Sequence, residues 1–141
     1  MRVQAAVLWV LISLSPVLVG CGSASGPQRA SLSGTVTLDG TAIERGVLSL
    51  VPAGDTKGPT AGTEILQGKY SIAANTGPVL GRYRVEITAN RKTGKIRDEG
   101  GMVGKVEETE QYIPAQYNTA SELEVEIKSG SNRRDFDLKS K

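Results

Sequence analysis

The chain has 141 residues, with 17 Lys and Arg against 15 Asp and Glu, 38% hydrophobic and 4% aromatic residues, 17 glycines and no His. That length suits one domain. The near balance of charge excludes the concentrated basic face of a nucleic-acid binder, and the absence of His removes the commonest general base and metal ligand.

Met1-Arg2 gives a short basic start, and residues 3–19 are apolar apart from Gln4, Ser13, Ser15 and Pro16. This is the pattern of a signal peptide over residues 1–20. As a membrane span the run is short and interrupted. Leu18-Val19-Gly20-Cys21 resembles the lipobox of bacterial lipoproteins, where the Cys thiol is linked to diacylglycerol and becomes the new N-terminus. Cys21 is the single Cys of the chain. The resemblance implies lipidation, including palmitate, at Cys21 and a location at the bacterial cell envelope. Two or more acyl chains hold a protein stably on a membrane without spanning it. Gly22 in place of Asp leans toward the outer membrane, facing the periplasm or the surface. An ordinary signal peptide with a chance Cys, or an uncleaved anchor, are the alternatives. After Cys21 the small polar run up to Ala30 reads as a flexible tether, so residues 21–30 span about 15–18 Å as a random coil.

The folded part begins with Leu32, Val36 and Leu38 alternating with Ser33, Thr35 and Thr37, a half-buried strand. Asp39-Gly40 is a favoured hairpin turn pair, and the apolar run 46–51 is the expected return strand. A loop over 53–62 precedes a short strand at 63–65, a turn at 66–68 and a strand at 69–72. A turn at 75–78 leads into 81–87, where Tyr83, Val85 and Ile87 alternate with Arg82, Arg84 and Glu86. Residues 88–109 show no sustained period. They are basic first (Arg91, Lys92, Lys95, Arg97), then glycine-rich, then acidic (Glu107, Glu108, Glu110). Loops beyond about 12–15 residues are uncommon in compact domains and often functional, so a long loop over 88–109 is the expected place for binding. Tyr112 and Tyr117 follow, then a strand at 123–127, a turn at 129–132 and a closing strand at 135–138. About seven short strands and no helix after the signal indicate a β-sandwich.

Ser33-Gly34-Thr35-Val36, Leu38-Asp39-Gly40, Ile43, Gly46-x-Leu48-x-Leu50-x-Pro52, Gly68-Lys69-Tyr70-x-Ile72 and Gly81-x-Tyr83-x-Val85 together resemble carboxypeptidase regulatory-like domains. The lipobox with Tyr112-Ile113-Pro114 and Tyr117-Asn118 resembles short bacterial lipoproteins that carry this domain. The resemblance implies an all-β, seven-stranded, transthyretin-like (prealbumin-like) Greek-key β-sandwich over residues 31–141. It implies no peptidase activity, because fold does not carry function.

Without His, the usual Ser-His and Cys-His pairs cannot form. The carboxylates Asp98-Glu99 and Glu107-Glu108 lie in the least regular stretch, whereas glycosidase chemistry needs a rigid cleft. No Asp-x-Asp-x-Asp-Gly calcium loop occurs, and the glycines lack the strand-to-helix setting of a phosphate loop. No cofactor, metal or nucleic acid is therefore expected. A non-catalytic, lipid-anchored binding or interaction module at the cell envelope is the leading reading, with an envelope protein or polysaccharide as partner. A carbohydrate-binding module is the alternative, and an enzyme a distant third. The candidate contacts are Arg91, Lys92, Lys95 and Arg97 for an anionic partner, and Tyr112 and Tyr117 for a sugar or peptide. The bland readings are a wet charged face and closure of the core.

Overall fold

The computed structural model describes residues 26–102 and 104–141. The signal peptide expected over residues 1–20 and the expected lipidation site Cys21 lie outside the described residues. The fold is all-β, as the strand periodicity indicates, with no α-helix among the described residues.

The seven strands read from the sequence are all present. They are β1 (Ser31–Leu38), β3 (Arg45–Ala53), β4 (Ala61–Leu66), β5 (Lys69–Ile72), β6 (Gly81–Thr88), β9 (Glu124–Ile127) and β11 (Phe136–Leu138). Four more segments were not expected: β2 (Thr41–Ala42), β7 (Asn90–Asp98), β8 (Lys105–Gln111) and β10 (Ser131–Arg133). β2 and β10 are too short for alternation to reveal them. β7 and β8 carry polar residues on both faces, so no apolar period marks them.

The main sheet runs β10-β1-β5-β4-β3-β6-β9, and β1 also pairs with β2 and β11. The edge strands β9 and β10 are joined by residues 128–130, so the sheet is curled and its two edges belong to one short connection. Leu32, Leu48, Leu50, Ile65, Tyr83 and Val85 are fully buried inside the curl. Full burial of such side chains contributes about 1.5–3 kcal/mol each. Tyr83 donates its hydroxyl to Val79 O at 3.0 Å, which satisfies the polar end of a buried ring.

Asp39 and Gly40 both have positive φ, 51° and 81°, as a tight hairpin turn requires. The turn joins β1 to β2, with Leu38 opposite Thr41. It does not join β1 to the run 46–51. That run, in β3, lies between β4 and β6, and β5 and β4 separate it from β1. The local turn signal was correct, but it says nothing about which strand continues the sheet.

β1 changes partners along its length. Ser31–Ser33 pair with β10, and Val36–Leu38 pair with β11, both in parallel. Between them the chain crosses Gly34, where a Cβ would lie 1.7 Å from Arg134 O. Asp135 clamps the crossing by accepting hydrogen bonds from Thr35 N at 2.8 Å and Thr35 Oγ1 at 2.9 Å. Tyr70 donates to Arg134 O at 2.6 Å from below.

The start of the domain also differs from expectation. Arg29 bridges Val79, Ala30 N donates to Pro78 O, and Leu80 N donates to Gln28 O. Residues 28–30, expected in the tether, therefore bond to the domain.

Candidate functional site

Residues 88–109 are not the irregular loop that their lack of periodicity suggested. Asn90–Asp98 and Lys105–Gln111 form a β-hairpin, a two-stranded sheet of its own. Arg91 lies opposite Glu110 and Lys92 opposite Thr109, then the register shifts, and Ile96 lies opposite Glu107. The shift places Thr93, Gly94 and Lys95 against Glu108 alone. Gly94 takes φ 75° there, and Lys95 N donates to Thr93 Oγ1. This is a bulge on β7, and bulges bend and twist their strand.

The basic and acidic halves of the stretch are thus two facing strands. Arg91 pairs with Glu110 at 2.6 Å, Lys92 with Glu107 at 2.7 Å and Arg97 with Glu108 at 2.9 Å. Glu107 holds the Lys92 ammonium above its usual range, first by hydrogen bonding and then by its charge. Among the described residues Lys95 makes no ion pair. The structure therefore brings Arg91, Lys92, Lys95 and Arg97 onto one strand, but commits three of them to carboxylates across the hairpin. The acidic partners were visible in the sequence as a separate cluster. Their pairing was not, because it depends on the bulged register.

Ile96, Met102 and Val106 are exposed in this hairpin, Met102 completely. The hairpin springs from the end of β6. At its base Tyr112 N donates to Ala89 O at 3.1 Å. β6 starts at Gly81, next to the Arg29–Val79 bridge, and ends at Thr88, opposite Val47. Residues 28–30 and the hairpin base thus lie at opposite ends of β6, about 25 Å apart at the usual strand rise.

Tyr112 and Tyr117 do not form an exposed pair. Both are half-buried and pack against the core. The Arg91 guanidinium carbon lies 5.4 Å from the centre of the Tyr112 ring, and burial pushes that phenol upward, with Glu44 adding to the effect. The Tyr117 hydroxyl accepts the Lys139 N–H at 3.0 Å. The segment is held from within by buried Asn118, which donates to Ile113 O and Pro114 O and accepts from Thr119 N. Ser121 Oγ donates to Val85 O beside it. These contacts favour closure of the core as the role of 112–121.

A second feature escaped the sequence reading. β4 and β5 pair only at Leu66 and Lys69. Thr63 Oγ1 then reaches Ser71 O across the divergence. The outer face there carries a trough of about 560 Å³, lined by Ser33, Thr35, Glu64, Lys69, Ser71 and Arg133 among others. Outward Ser, Thr and Lys on a strand look the same in a sequence whether or not a depression lies between them. Among the described residues no cluster of acidic side chains has the proximity to hold a metal ion, and no helix is long and apolar enough to cross a membrane. Neither a family model nor a curated protein nor a solved structure matches the chain.

Proposed function

We propose that this protein is a non-catalytic, lipid-anchored interaction module of the bacterial cell envelope, built on a transthyretin-like sandwich and presenting the β7–β8 hairpin to its partner. One observation carries the reading. The hairpin lies outside the main sheet and springs from the end of β6 opposite residues 28–30. With Cys21 about seven residues before the first bonded residue, the anchored end faces the lipid and the hairpin base faces away from it. Strand β7 adds about 30 Å of reach at the usual rise per residue. The Tyr83–Val79 hydrogen bond supports the sandwich resemblance, since a Tyr bonded to the backbone a few residues upstream recurs in Greek-key sandwiches.

Two measurements test the reading. Cys21→Ser is expected to abolish palmitate labelling and to move the protein out of the detergent phase. Unchanged labelling and partitioning would overturn the anchor. A photo-cross-linking side chain at Met102 in whole envelopes is expected to give macromolecular adducts, and one at Glu64 on the outer sheet face is not. Adducts from Glu64 alone, or from neither position, would remove the hairpin as the contact.

A further inference from the structure

The hairpin is a free-standing two-stranded sheet, and such a unit is at best marginally stable in water. Its exposed ion pairs add about 0.2–1 kcal/mol each. Among the described residues, both of its outer edges are unpaired. Charges on an edge ordinarily repel a second copy of the same edge. Here the two edges differ in sign. β7 carries Arg91, Lys92, Lys95 and Arg97 against one Asp98, while β8 carries Glu107, Glu108 and Glu110 against one Lys105, and Asp98 and Lys105 lie opposite each other. Pairing β7 with β7, or β8 with β8, sets like charges opposite one another. Pairing β7 with β8 continues the alternation of cationic and anionic strands already present within the hairpin.

We propose that copies of this chain associate side by side, the β7 edge of one hairpin adding to the β8 edge of the next. The proposal rests on the lipid-anchored reading. A sideways translation by two strand spacings makes the new contact antiparallel, keeps every anchor on the same membrane, and repeats the internal register. Arg91 then meets Glu110 of the neighbouring copy, and Lys92 meets its Thr109. The β7 bulge restricts the contact to residues 90–92 and 96–98. Such an edge buries far less than the roughly 1,200–2,000 Å² of a stable interface. Confinement to a membrane supplies the effective concentration that the contact lacks in solution. The association is heterologous and open-ended, so it produces rows rather than closed dimers.

The test uses the full chain, whose Cys21 thiol is blocked when lipidated. Lys92→Cys and Thr109→Cys are prepared separately, reconstituted together or alone in phosphatidylethanolamine–phosphatidylglycerol vesicles, and oxidised with copper-phenanthroline in air. Directly opposed residues on paired strands lie within the Cα separation that a disulfide requires. The mixture is expected to give covalent dimers several-fold above either variant alone, with the yield falling at high salt. Arg91→Cys mixed with Glu110→Cys is expected to repeat the result from the other face. Equal yields from single variants, or mixed yields no higher than those of Glu64→Cys, would overturn the proposal. Palmitate labelling of the same samples separates the two readings. If no lipid is attached, the anchor reading fails, and the pairs are oxidised in a Cys21→Ser background in concentrated solution. Dimers specific to the mixture then support edge pairing, and their absence overturns it.

Discussion

Gly34 sits where the chain between β10 and β11 passes over β1. A methyl group there would lie 1.7 Å from Arg134 O, a backbone atom that cannot swing aside. Gly34→Ala is expected to cost at least the upper part of the roughly 1–3 kcal/mol typical of overpacking. Gly40→Ala makes a useful contrast, because its Cβ would meet open space and only its φ of 81° resists the change. That substitution is expected to cost about 1–2 kcal/mol. Urea midpoints for the two variants check the ranking, and a reversed order would show that the crossing can relax. Asp135 guards the same crossing. The hydrogen bonds from Thr35 hold its carboxyl below the ordinary 3.8. Its folded pKa is depressed, so the unfolded chain binds its proton first as the pH drops. The stabilisation is present above about pH 4 and is lost as pH falls through the folded pKa. Asp39 behaves likewise through Ser140. Asp135→Asn is expected to be less stable than the native chain at neutral pH and to lose less stability on acidification. Urea midpoints across that range check it, and parallel curves for the two proteins would show that the clamp contributes nothing.

At the scale of elements, the hairpin and the sheet are separate. Among the described residues, β7 and β8 pair with each other and with no strand of the main sheet. Their residues are mostly exposed, with Thr93, Glu107 and Glu108 half-covered. The core that holds the domain together lies elsewhere, in Leu32, Leu48, Ile65, Val85, Ile127 and their neighbours. Ala89 and Tyr112 at the hairpin base are already hydrogen-bonded, Tyr112 N to Ala89 O. Replacing residues 90–111 by a two-residue Asn-Gly turn is therefore expected to leave the melting temperature within a few degrees of native, since surface changes away from packing features cost within about 0.5 kcal/mol. A loss of cooperative melting would show that the hairpin props up the sheet. The excision is also expected to preserve membrane partitioning through Cys21, which detergent-phase separation checks.

At the scale of the whole molecule, local chemistry was legible and partnership was not. Alternation marked residues 32–38, 83–87 and 123–127 as strands with one buried face, and all three are strands, the last beginning at Glu124. Asp39-Gly40 and Gln67-Gly68 announced tight turns, and both pairs take positive φ. These features depend on neighbours a few residues away, which a sequence displays directly. Tertiary structure alone decided that β3 lies beside β4 and β6 rather than β1, that β1 serves β10 along one half and β11 along the other, and that residues 28–30 join the domain. It alone turned the basic and acidic runs of residues 90–111 into a paired hairpin. A strand polar on both faces has no apolar face to create a period, so its pairing is specified by cross-strand charges and a bulge. Those contacts exist only once the chain has folded back on itself.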